Sequence, residues 1–147
     1  MNERFDPIRF VKDGRTITCV LGLILCGLPG CGETIPQVEG LEIEVTDENF
    51  AEEVLENDLP VLVDFGATWC TYCEQMEPAV AYLSVQFEGQ LAVGKVDCDE
   101  SPQASSEYDI DSLPAFVLFR DGQEIARTSG AMRYRTLSAW VDRHLAQ

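Results

Sequence analysis

Two cysteines separated by two residues, at the step from an apolar strand into a helix, constrain this chain more than any other feature. Pro60-Val61-Leu62-Val63-Asp64-Phe65 reads as a buried strand. Trp69-Cys70-Thr71-Tyr72-Cys73 follows, and Glu74 to Leu83 reads as a helix. Cys70 then stands at a helix N-terminus, where backbone N–H groups and the helix dipole favour a thiolate. Cys73 lies one turn on, placed to attack a mixed disulfide formed at the same site. The pattern predicts dithiol–disulfide chemistry. Zinc is the competing use of such spacing, but a structural zinc site normally takes four ligands. The sequence has no second Cys-x-x-Cys and a single histidine, His144, so neither a metal nor another cofactor is expected.

A chain of 147 residues, 46% apolar, accommodates one cored domain with accessory segments. Its formal net charge of −16 argues against nucleic acid and against attraction to anionic lipid. The six cysteines do not form one spread framework of the kind that staples small secreted domains. Cys19 and Cys26 lie in an N-terminal apolar segment, Cys31 closes it, Cys70 and Cys73 form the motif, and Cys98 stands alone as a packed free thiol.

The N-terminal segment has a polar start, with Arg4, Arg9, Lys12 and Arg15 set against Glu3, Asp6 and Asp13. The apolar run Thr16 to Leu28 is shorter than the roughly 20 residues of a spanning helix, and Pro29 and Gly30 end it. Leu28-Pro29-Gly30-Cys31 resembles a bacterial lipoprotein signal, with Pro29 where Ala or Ser is usual. The resemblance implies cleavage before Cys31 and lipidation of that cysteine. Residues 1–30 are therefore expected to be a removed signal peptide, 31–40 a lipidated cysteine and tether, and 41–147 the folded domain. The protein is expected to be periplasmic or otherwise extracytoplasmic, held to a bacterial membrane by its lipid alone.

From Leu41 the pattern is regular. Leu41 to Val45 alternates as a half-buried strand, and Thr46 or Asp47 is placed to cap a helix over 48–56. Pro60 to Gly66 is the central strand, the motif helix runs to about Phe87, and Leu91 to Asp97 is a third strand. Ser101-Pro102 opens a short helix to Tyr108. Ala115 to Phe119 and Gln123 to Thr128 form a hairpin about Asp121-Gly122. Leu137, Trp140, Val141 and Leu145 share one face of a closing helix. The class is α/β, in the order β-α-β-α-β-α-β-β-α.

With these elements in place, residues 41–147 resemble the thioredoxin family. Val63-Asp64-Phe65, Trp69-Cys70-x-x-Cys73, Met76-Glu77-Pro78, Lys95-Val96-Asp97, Leu113-Pro114-Ala115-Phe116 and Gly122 carry the resemblance. It implies a thioredoxin fold, a central mixed sheet flanked by helices. It implies Cys70 as nucleophile, Cys73 as the resolving cysteine and Asp64 as a buried carboxylate that exchanges its proton. Lys95 is implied as the charge partner of Asp64, and Pro114 as a cis-proline facing the dithiol. Trp69, packed beside the dithiol, Thr71, Tyr72, Leu113 and Pro114 would form the substrate face.

Two departures from the family pattern bear on function. Gly66 stands where many thioredoxins carry Trp or Tyr, which loosens the floor beside the site. Thr71-Tyr72 replaces Gly-Pro, and no histidine precedes Cys73, where strong oxidants and isomerases place one. Glu74 and Glu77 put negative charge near the helix start, which disfavours a Cys70 thiolate and points to a reductase. The expected substrates are exported protein disulfides, with a membrane or extracytoplasmic dithiol protein as electron donor and a monomer as the working form. An oxidase or isomerase using the same residues, and a binding or chaperone module with a static disulfide, are the alternatives.

Overall fold

The apolar run before the cysteines forms the middle of a five-stranded sheet. The computed structural model describes residues 34–147; Cys31 and the expected signal segment lie outside them. The strands are β1 Ile43–Glu44, β2 Val61–Gly66, β3 Ala92–Asp97, β4 Ala115–Arg120 and β5 Gln123–Ser129. Their spatial order is β1-β3-β2-β4-β5. β1, β3 and β2 run parallel, and β4 and β5 continue antiparallel, which gives the mixed sheet of a thioredoxin fold. The α-helices are α1 Thr71–Gln86, α2 Pro102–Glu107 and α3 Tyr134–Leu145.

Side chains alternate across β2, so one short strand serves two cores. Leu62 packs with Val80 and Leu83 of α1, Phe116 of β4 and Leu137 and Val141 of α3. Val61, Val63 and Phe65 pack on the other face with Phe50, Val96, Val117 and Phe119. Asp64 follows from the same alternation: it shares the face of Leu62, beneath the start of α1. Phe116 is completely buried, and Phe116→Ala is expected to cost about 3–5 kcal/mol through lost contacts and a cavity. Urea denaturation measures it; a loss below about 1 kcal/mol would mean the sheet closes over the gap.

The expected helix over 48–56 is instead a π-helical turn, Ala51–Leu55. Of its two expected caps, Asp47 is engaged elsewhere and Thr46 is held locally. The Asp47 carboxylate accepts from the N–H groups of Gln103 (3.1 Å) and Ala104 (2.8 Å), across the fold at the start of α2. Thr46 donates its N–H to Asn49 Oδ1 at 2.7 Å. Phe50, stacked on Tyr108 and edge-on to Phe119, anchors the turn. Ser101, expected to cap α2, makes no side-chain cap bond, because Asp47 fills that role.

β1 is shorter than the expected strand Leu41 to Val45, and it approaches β3 where Gly94 leaves room. A Cβ on Gly94 would come within 2.7 Å of Val45 Cγ2. The hairpin turn has Asp121 at φ 52° and Gly122 at φ 73°, the left-handed pair that a two-residue connection demands. α1 runs through Pro78. At the far end of α3, Arg120 donates to the carbonyls of His144 (3.1 Å) and Leu145 (3.0 Å), groups a helix end leaves unpaired. Arg120→Ala is expected to lose about 1–2 kcal/mol of stability. Faster amide exchange in the last turn of α3, with the central strands unchanged, locates that loss.

Candidate active site

Cys70 is the N-cap residue of α1, at φ −84° and ψ 97°, and Cys73 lies in the first turn. The two are joined as a disulfide. The Cys73 N–H donates to Cys70 Sγ at 3.1 Å, so the sulfur occupies the place where a capping oxygen would sit. That donor, together with the helix dipole, stabilises charge on Cys70 when the bond opens. Both cysteines are buried, with 7% and 9% of their surface exposed.

Two depressions flank the disulfide. The first is a groove of about 470 Å³ lined by Trp69, Cys70, Thr71, Tyr72, Cys98 and Leu113, among others. Leu113-Pro114 is a cis bond at the entry to β4, and the Pro114 carbonyl accepts from Gly130 N–H at 2.8 Å. Thr71, Tyr72 and Leu113 thus meet Cys70 in one groove, and Pro114, next in the chain to Leu113, is buried and not among the groove's lining residues. Trp69 lines this groove with Cys70 but is largely open to solvent, with 69% of its surface exposed. Its Nε1–H donates to Asp99 Oδ2 at 2.7 Å, which holds the indole at the rim. Asp99 is a site residue the sequence reading missed. Its signal is weak, since a carboxylate on a loop thirty residues away carries no periodicity.

The second depression is a cleft of about 670 Å³ on the Gly66 side, reaching Asp64, Gly66, Cys70, Cys73 and Lys95. Asp64 has 6% of its surface exposed, and among the described residues its Oδ1 has no hydrogen-bond partner. Burial pushes its carboxyl from 3.8 up to about 7; Lys95 pulls it down, while Glu77 and Glu42 raise it further. Lys95 is the β3 residue paired in register with Asp64. Its ammonium, however, lies 3.4 Å from Glu77 Oε1. The cation expected to serve Asp64 alone is therefore divided between two carboxylates. Glu77→Gln is expected to lower the Asp64 pKa, because it removes a negative neighbour and frees Lys95. NMR titration of the Asp64 carboxyl measures this, and an upward shift contradicts it.

Cys98 is a free thiol, half buried beside the groove, and burial is the main reason its thiol titrates above the usual range. Among the described residues no group of three His, Cys, Asp or Glu is placed to hold a metal ion. No described helix is long and apolar enough to cross a membrane.

Comparison with known proteins agrees with this geometry. The family model described as Thioredoxin matches residues 42–143. Thioredoxin 1 of Nostoc sp. is 44% identical over 102 residues, 69% of this chain and 95% of that protein. Thioredoxin 1 of Synechococcus elongatus is 44% identical over 101 residues, covering 69% and 94% of the two chains. Thioredoxin of Rickettsia felis is 40% identical over 101 residues, covering 69% and 96%. These matches overturn the expected periplasmic, lipid-anchored location. The relatives are plain thioredoxins, matched over nearly their whole length by the domain alone, and give no support to export or a lipid anchor. Cys31, on which the anchor rested, is outside the described residues.

Proposed function

The chain belongs to the thioredoxin family and is a thiol–disulfide oxidoreductase whose redox pair is Cys70–Cys73; from that premise we propose that it is a protein-disulfide reductase. Cys70 thiolate attacks one sulfur of a substrate disulfide, whose other sulfur leaves as a thiolate and takes up a proton. The substrate, an extended segment, lies in the groove of Trp69, Thr71, Tyr72 and Leu113, with its backbone against Pro114. Cys73 then gives its proton to Asp64 and attacks Cys70 Sγ, which releases the second substrate thiol. Two electrons pass from the dithiol to the substrate, and no further cofactor takes part. A base of pKa about 7 suits this step, because it accepts a proton at neutral pH and returns it readily. Lys95 steadies the charge that Asp64 acquires.

One observation carries the direction of exchange. Glu74 and Glu77 stand on the first turns of α1 with Asp64 beneath, all lining the cleft that reaches both cysteines, and no histidine lies between the two sulfurs. Negative surroundings disfavour the thiolate of the reduced form, which makes the dithiol the better electron donor. The site is complete within one chain, so a monomer suffices. Another dithiol protein must return the protein to its reduced state. Turbidimetric reduction of insulin by dithiothreitol tests the activity. The chain is expected to accelerate it at catalytic concentration; a static disulfide would leave the rate at that of dithiothreitol alone.

A further inference from the structure

Cys70 attacks only those disulfides whose flanking residues fit the groove beside it. We propose that this groove selects protein disulfides in which the attacked cysteine has Arg or Lys as a sequence neighbour. This selectivity belongs to the site already described and rests on the reductase reading.

Two aromatic side chains stand open beside the reactive sulfur. Among the described residues only four large hydrophobic side chains are exposed, and two of them are Trp69 at 69% and Tyr72 at 62%. Both line the groove with Cys70. Rings left this open are available to an occupant of the groove rather than to the core. The Trp69 Nε1–H is already given to Asp99 Oδ2 at 2.7 Å, and a carboxylate at the indole edge adds to the negative potential around the ring. A guanidinium or an ammonium is the group that such surroundings attract.

Charge points the same way. Asp111 is exposed and lines the groove, and among the described residues none of the lining side chains is basic. Arg127 feels the charge of Asp111, but both carboxylate oxygens of Glu124 and the Tyr108 carbonyl hold its guanidinium. A cation that meets Asp111 and the two rings together therefore comes from the occupant. An acidic neighbour of the attacked cysteine would instead meet Asp99 and Asp111.

The rest of the groove suits the stem of such a side chain. Cys98, Ile110 and Leu113 line it and are half-buried, which gives apolar surface for the methylene groups of Arg or Lys while the charged end stays at the rim. An extended segment advances about 3.3 Å per residue, so the neighbours of a cysteine bonded to Cys70 remain within this groove.

Single-turnover reduction of two symmetric peptide disulfides by the reduced full chain tests this. One peptide has Arg on both sides of its cysteine, the other Gln. Cationic neighbours make a disulfide more reactive toward any thiolate, so each rate is divided by the rate with dithiothreitol. The corrected ratio is expected to favour Arg at least about tenfold. The net charge of −16 attracts cations over the whole surface, so variants locate the effect. Asp111→Asn and Tyr72→Leu are each expected to lower the ratio about threefold, and a ratio cancels any change in the Cys70 thiolate itself. Glu88→Gln removes the same charge just beyond the far end of α1, more than a screening length away, and is expected to leave the ratio within about 1.3-fold. A ratio near one in the parent overturns the selectivity and leaves the reductase reading standing. Equal falls in Asp111→Asn and Glu88→Gln, or no fall in either groove variant, overturn the groove as its source. If neither peptide is reduced, the reductase reading fails and the selectivity falls with it.

Discussion

Asp64→Asn is expected to stabilise the fold at pH 8 by about 4 kcal/mol while slowing turnover about a hundredfold at neutral pH. The stability effect follows from a proton. The carboxyl titrates at 3.8 when free and at about 7 in the folded chain, chiefly because burial penalises the charged form. Between those values the folded chain keeps a proton that the unfolded chain has lost. Stability therefore falls as pH rises through that window and levels off above about 7. Below 3.8 both states carry the proton, so the asparagine gives no gain at pH 3. Three pKa units, at about 1.4 kcal/mol each, set the size of the effect above the window. Urea denaturation of both proteins at pH 3 and pH 8 measures it. A gain of equal size at both values would mean that packing, not charge, is responsible. The kinetic effect lies in the second half-reaction, where Cys73 must lose its proton. Stopped-flow decay of the mixed disulfide is expected to slow, and the deficit to shrink at high pH, where the thiol ionises unaided.

Removing either sulfur is expected to separate the two half-reactions. Cys70→Ser abolishes insulin reduction, because a serine hydroxyl stays protonated and forms no disulfide; activity within tenfold of the parent contradicts Cys70 as nucleophile. Cys73→Ser stops the cycle after one attack, and a substrate then stays bound through Cys70 until an external thiol releases it. Non-reducing electrophoresis with intact, disulfide-bonded insulin or another disulfide-containing peptide detects the adduct. Its absence would remove Cys73 from the resolving step. Covalent trapping is the sharper assay, since a merely structural Cys73 would leave no bound species.

Much of this was legible before any coordinates. The family resemblance implies Asp64 as a buried carboxylate, and its surface is 6% exposed, on the Leu62 face of β2 opposite Val61, Val63 and Phe65. The hairpin at Asp121-Gly122 and the apolar face of α3 are legible as local patterns. What escaped the sequence depends on partners distant in the chain. Asp47 reads as a cap for its own segment, yet it serves Gln103 and Ala104, and the segment it precedes is a π turn. Trp69 reads as packing material beside the cysteines, yet Asp99 draws its indole N–H to the surface. Lys95 pairs with Asp64 in register, but its flexible stem lets Glu77 hold its ammonium. The Gly66 departure was visible as a missing aromatic; the acidic cleft it opens was not, because its carboxylates come from several separate elements.

The reduction potential of the Cys70–Cys73 pair tests the central claim most directly. The oxidised chain is equilibrated against dithiothreitol and glutathione buffers, and its thiols are counted at each poise. A reductase of the proposed kind gives a value near the reducing end of the family range, about −270 mV. A value near about −120 mV would mean that the reduced form is the stabilised one, and would contradict both the role assigned to Glu74 and Glu77 and the direction of exchange.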